Sequence, residues 1–254
     1  AADVEGTLAA AGDPTLVECE DDDVLLQPYT SGTTGPPKGA ILTHGNFLSN
    51  IRACHDLYDI SAKDACLSFL PLSHVFERMA GYYLMLYTGA VIAYAENFDS
   101  VPANLLEVKP TITISVPRLY EKMYARIMER VLDGPWLKKQ IFFSGLKVCK
   151  ACVRRELEGE EPPAPLAALA AVYRKFVFSK LRKPLGGRLR FFVSGGAPLS
   201  PDIGEFFLAA GIPIYEGYGL TETSPVLAAN KPGAQRLGTV GKSIPDCEVK
   251  IAED

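Results

Sequence analysis

The segment from Tyr29 to His44, YTSGTTGPPKGAILTH, gathers five aliphatic hydroxyls, three glycines and one lysine. These residue types suit phosphate. Glycines let successive backbone N–H groups converge on an anion, hydroxyls donate to its oxygens, and a lysine supplies a point charge. The residues able to play those parts are Thr30, Ser31, Gly32, Thr33, Thr34, Gly35 and Lys38. A Walker A loop would need Gly-Lys-Ser/Thr at its end, whereas Pro37 precedes Lys38 and Gly39 follows it. A merely flexible polar loop would have no need for hydroxyls grouped this tightly around a lysine fixed by two prolines.

Three later stretches also bear chemistry. LPLSHVFER sets His74 just after an apolar run, where it could equally be a histidine at a helix start. VSGGAPLS puts Gly195, Gly196 and Ala197 directly after the strand pattern RFFVS. Missing or small side chains there let a ligand approach the backbone, and in α/β sheets ligands gather at the carboxyl ends of strands. YEGYGLTETSP gives Gly217 and Gly219 the GxG spacing of a dinucleotide loop, but Glu222 stands where the third glycine belongs. By itself Glu222 reads as a solvated surface acid. Cys149 and Cys152 form a lone CxxC inside a helical pattern, without the four ligands of a structural zinc site, and read as ordinary core or surface cysteines.

The elements that must position these residues alternate along the chain. VLLQPYT reads as a buried strand, and THGNFLSNIRACHDLY as a helix with Phe47, Leu48, Ile51, Cys54 and Tyr58 at helical spacing. Strands follow at ACLSFL, AVIAYA, TITISV, RFFVS and IPIYEGYG. Helices fall between them at about 73–87, at VPANLLEV, at a stretch placing Leu119, Tyr120, Met123 and Ile127 on one face, and at PDIGEFFLAAG. Strands separated by helices predict an α/β fold with a largely parallel sheet. Residues 134–184 interrupt it as a helical insert, and 238–254 read as the start of a small β segment with Val249 and Ile251 alternating.

At 254 residues and 48% hydrophobic content, the chain can bury a sizeable core. A net charge of −4 and a pI near 5.5 argue against a nucleic-acid partner. Six scattered cysteines fit a reducing compartment, and no apolar run is long enough to span a bilayer, so a cytoplasmic protein is expected. Between Lys138 and Lys183, 11 Lys and Arg face 4 Glu, a local +7 that leaves −11 on the remainder. That segment is either a solvated helical face or a surface attracted to an anionic membrane or polyphosphate.

Taken in order, YTSGTTGPPKGAILTH, LPLSHVFER, VSGGAPLS and YEGYGLTETSP resemble the signature motifs of the adenylate-forming synthetases, and they span most of the chain. The resemblance implies an acetyl-CoA synthetase-like large domain that uses ATP, Mg²⁺ and CoA. The basic insert and the wording of the motifs resemble the long-chain fatty acid–CoA ligase branch. A ligase loading a carrier protein, and a non-catalytic nucleotide- or acyl-binding module, stand as alternatives.

By that resemblance, residues 30–39 embrace the β- and γ-phosphates, with Lys38 offsetting charge as pyrophosphate departs. Gly195, Gly196, Ala197 and the run Glu216, Gly217, Tyr218, Gly219 approach the nucleotide, with Tyr218 against adenine. Thr221 donates to phosphate and Glu222 holds magnesium. His74 lies beside the acyl group, and Tyr120 matches a tunnel-mouth aromatic, although its helical stripe favours core packing. The resemblance also implies a ribose-binding aspartate, a hinge and a small domain with an adenylation lysine, none of which has a matching segment here. The 254 residues alone are therefore expected to be inactive or nearly so.

Overall fold

The computed structural model describes residues 18–30 and 36–252. Ser31, Gly32, Thr33, Thr34 and Gly35 lie outside the described residues. Two short antiparallel pairs come first: β1 (Val24–Leu26) with β4 (Leu42–Thr43), and β2 (Tyr29–Thr30) with β3 (Lys38–Gly39). This corrects the reading of VLLQPYT as one buried strand. Pro28 has no N–H to offer a ladder, so the chain breaks there and Tyr29 emerges exposed.

The main sheet has seven strands in the order β11-β10-β9-β8-β7-β5-β6. These are β5 (Ala65–Ser68), β6 (Val91–Tyr94), β7 (Ile112–Ser115), β8 (Phe191–Ser194), β9 (Ile214–Gly219), β10 (Val226–Ala229) and β11 (Lys242–Ser243). The five from β6 to β9 run parallel, while β10 and β11 are antiparallel. Parallel strands demand crossovers, and the helices supply them on both faces. Strand periodicity divides the two cores: Ile112, Ile114 and Phe191 face one side, and Phe192 faces the other.

On the first face lie α1 (His44–Leu57), a π-helical segment (Glu77–Tyr83) and α2 (Leu84–Thr88). α1 starts in a capping box, with Thr43 Oγ1 accepting from the Asn46 N–H and Asn46 Oδ1 accepting from the Thr43 N–H. The helix expected at 73–87 runs instead from Val75 to Thr88, and its middle turns are π, not α. On the opposite face lie α3 (Val101–Val108), α4 (Pro117–Leu132), α5 (Trp136–Leu157), α6 (Ala164–Tyr173), α7 (Ser179–Arg182) and α8 (Pro201–Ala209).

α5 crosses α8, where Glu205 receives Lys150 at 2.7 Å and Arg154 at 2.5 Å. Part of the insert's positive charge is thus neutralised by a carboxylate outside it. Cys149 and Cys152 are buried in the α5 core. Beyond Gly238, β11 is the only strand among the described residues, and Val249 and Ile251 are exposed rather than alternating in a sheet. Alternation alone cannot make a strand where no neighbouring backbone accepts its hydrogen bonds.

Candidate functional site

The carboxyl ends of β8 and β9 open toward a cavity of about 510 Å³ on the α1 face. Thr30, His74, Gly195, Gly196, Gly217, Tyr218, Gly219, Thr221 and Glu222, all expected in the site, line it together. Thr30 and Glu222, 192 positions apart, meet with Oγ1 to Oε1 at 3.4 Å. Lys38 sits across from Thr30 in the β2–β3 pairing, and its carbonyl accepts from the same hydroxyl at 3.4 Å. Thr30 and the acidic turn therefore reach one place from distant parts of the sequence.

Local structure explains how each is presented. β9 ends at Gly219, where a Cβ would collide with the carbonyl of Pro225, so the strand can fold back against β10 only with glycine there. The short 3₁₀ turn Thr221–Thr223 follows, closed by the Leu220 N–H donating to Thr223 Oγ1 at 2.9 Å. It leaves Glu222 exposed at the cavity rim. Asn50 of α1 grips β10 by donating to the Val226 carbonyl at 2.8 Å and accepting from the Val226 N–H at 3.2 Å.

His74 sits in the turn before the π segment. Its Nδ1 accepts from the Phe76 N–H at 3.2 Å, so the neutral ring carries its proton on Nε2. Arg78 braces the turn, its Nε donating to the Leu72 carbonyl at 2.8 Å. Phe76 packs against Gly195, where an added Cβ would approach the ring to 2.8 Å.

Four expected residues stand apart. Lys38 is exposed and is not part of the lining. Glu216 is buried behind the cavity with Oε1 accepting from the Leu199 N–H at 3.1 Å, and burial pushes its carboxyl above the usual range. Ala197 is exposed and is not part of the lining. Tyr120 is fully buried in the core on the opposite face of the sheet, donating to the Val193 carbonyl at 2.9 Å. Its helical stripe makes it a core residue rather than a tunnel mouth.

The inner wall was missed by motif reading. Cys54, Tyr58, Ile60, Met79, Leu84 and Met85 form it, and they are apolar or neutral. Burial pushes the Cys54 thiol up to about 12 and the Tyr58 phenol higher still, so neither ionises near neutrality. Phe47, Ile51, Cys54 and Tyr58 fall at helical spacing, but nothing in that spacing distinguishes a core face from a cavity wall. The site thus joins a polar rim of hydroxyls, glycines and one carboxylate to an apolar interior.

Acyl-CoA ligases are among the known proteins that share this architecture. A malonyl-CoA ligase in a product complex with methylmalonyl-CoA and AMP superposes with a TM-score of 0.60 at 26% identity, over 89% of this chain and 39% of that one. The sequence model described as AMP-binding enzyme matches residues 2–254, and the chain belongs to that family. The peroxisomal long chain acyl-CoA synthetase 7 of Arabidopsis thaliana is 37% identical over 234 residues, covering 91% of this chain. The long-chain-fatty-acid–CoA ligase FadD15 of Mycobacterium bovis is 37% identical over 235 residues, covering 89%. The chain spans only 32% and 37% of the length of these two relatives.

Proposed function

We propose that the full-length protein is an AMP-forming long-chain fatty acid–CoA ligase. A carboxylate attacks the α-phosphate of ATP, giving an acyl-adenylate and pyrophosphate, and the thiol of CoA then displaces AMP to form the thioester. The carrying observation is a single cavity with a polar rim at Thr30 and Gly217–Glu222 and an apolar interior at Cys54, Met79 and Met85. Polyphosphate suits the first and a hydrocarbon chain the second. The long-chain ligases among the relatives support the same substrate class.

Side chains have little covalent work in such a reaction, so positioning and charge stabilisation dominate. In this reading Lys38 and Thr221 hold phosphate oxygens, Tyr218 lies against adenine, and His74 directs Nε2–H toward the acyl carboxylate. The donor set also fits Mg²⁺, which typically binds through one or two carboxylates plus substrate phosphates. Glu222 is an exposed carboxylate 3.4 Å from a hydroxyl, and no group of three or more His, Cys, Asp or Glu among the described residues offers a self-sufficient metal cage. When bound, the metal neutralises phosphate charge. The basic segment 138–183 is read as a peripheral contact with anionic membrane; no helix among the described residues is long and apolar enough to cross one.

The test is Mg²⁺- and fatty-acid-dependent pyrophosphate exchange by the full-length protein. Lys38→Ala and Glu222→Ala should each lower it by roughly 10²-fold or more, the scale of losing one transition-state charge partner. Exchange with acetate or amino acids but not with long-chain acids would overturn the substrate class.

A further inference from the structure

The π segment that walls the cavity has a second side, and Glu77 is its anchor. Glu77 is 1% exposed, yet it forms no ion pair among the described residues. Ser68 at the end of β5 donates to Oε1 at 2.5 Å, while Oε2 has no hydrogen-bond partner. Gly81, four residues on, closes over the same carboxyl: a Cβ there would lie 2.5 Å from Oε1. The adjacent Arg78 is turned away to the Leu72 carbonyl.

The other titratable groups near enough to feel the Glu77 carboxyl are the Cys66 thiol of β5 and the Tyr94 phenol of β6, while the Tyr82 phenol of its own segment lies by Tyr94. α1 and β7, which also pack on the segment, meet it with apolar core residues such as Phe47, Ile51 and Ile112. Among the described residues nothing there compensates a negative charge, and an uncompensated buried carboxylate is among the costliest groups in a protein interior. Meanwhile Phe76, Met79 and Ala80 of the same stretch line the cavity. A π turn inside a helix is an irregularity often found at functional sites.

We propose that Glu77 is a positioning residue that works as a neutral acid: its protonated carboxyl, held by Ser68 beneath Gly81, fixes the π segment so that Phe76, Met79 and Ala80 present an intact apolar wall to the acyl chain. Ionisation loosens that wall. This rests on reading the cavity as the acid site. Burial pushes the Glu77 carboxyl up to about 7, with the Ser68 hydroxyl opposing the rise, so the switch falls at neutral pH.

The sign follows from linkage. A carboxyl whose folded pKa is raised holds its proton longer when folded, so stability is full below the unfolded value of 4.5 and is lost as pH rises toward about 7. Melting of the full-length protein without substrate should therefore show Glu77→Gln gaining on the wild type as pH rises from 5.5 to 7.5. Dodecanoate binding, measured by calorimetry below its aggregation concentration, reads the wall directly. If only the protonated form binds, the wild-type Kd rises about tenfold from pH 6 to 8, while Glu77→Gln stays flat and ATP binding is unmoved in both.

Should Glu77→Gln not fold, Ser68→Ala removes the opposing hydroxyl and must shift the midpoint upward in pH. A melting difference independent of pH, a dodecanoate Kd flat with pH while adenylation proceeds, or an unmoved midpoint in Ser68→Ala overturns the inference. A pH-dependent Kd in a protein that forms no adenylate overturns the ligase reading alone.

Discussion

Single residues decide the shape of the cavity. Gly195 has an ordinary backbone conformation, so alanine is barred there only by the Phe76 ring at 2.8 Å from the new Cβ. Gly195→Ala should drive that ring into the cavity and raise the KM for the fatty acid several-fold more than the KM for ATP; equal changes would place the ring elsewhere. Tyr120 makes the contrasting case. Because its hydroxyl serves the core and not the cavity, Tyr120→Phe should cost about 1 kcal/mol in denaturant unfolding, the typical net worth of one hydrogen bond, with kcat and KM unchanged. The polar residues that line the cavity are legible because hydroxyls, glycines and an acid are grouped in short runs. Membership in a run says nothing about which face of β9 a side chain takes, and the Glu216 carboxyl turns inward to the Leu199 N–H.

Elements show where a sequence gives up its structure and where it does not. β7, Ile-Thr-Ile-Ser, is fully buried, and its β-branched run between Pro110 and Pro117 announces a central strand. The π register of Glu77–Tyr83 left no such mark. In HVFERMAGYY the glutamate looks like one of the charges any helix exposes, and only the packing of β5 against it reveals otherwise. That packing makes Gly81 the element's sharpest test. Glycine to alanine inside a helix ordinarily gains about 1 kcal/mol, but here the new methyl would press on the Glu77 carboxyl, and overpacking of this kind costs about 1–3 kcal/mol. Gly81→Ala is therefore expected to melt lower than the wild type. A higher melting temperature would mean that Glu77 does not lie under Gly81.

Over the whole molecule, the asymmetry of charge becomes a question of geometry. Lys150 and Arg154 answer Glu205, Arg155 answers Glu160, and Arg174 reaches Glu156 at 4.0 Å. Lys138, Lys139, Lys147, Lys175, Lys180 and Lys183 form no ion pair among the described residues. Trp136 of α5 and Phe176, whose ring lies under the Lys175 ammonium, are exposed at 71% and 64%, side chains large enough to enter a lipid interface. The first half of α5 lies beside the end of α6 and the π turn Arg174–Phe178 that follows it, joined by the Ser144 and Tyr173 hydroxyls at 3.2 Å and by Phe142 stacked edge-on to Phe178. A basic residue near an anionic lipid surface contributes about 1 kcal/mol, and the attraction fades as the screening length shrinks from about 8 Å at physiological ionic strength to 3 Å at 1 M salt. The full-length protein should accordingly sediment with vesicles containing phosphatidylserine, less with phosphatidylcholine alone, and largely detach in 1 M NaCl. Reversing Lys138, Lys139 and Lys175 to Glu should weaken that binding at least tenfold while leaving ATP-dependent exchange with soluble fatty acid intact. Binding that ignores salt and charge reversal would return these helices to the plainer role of a solvated face.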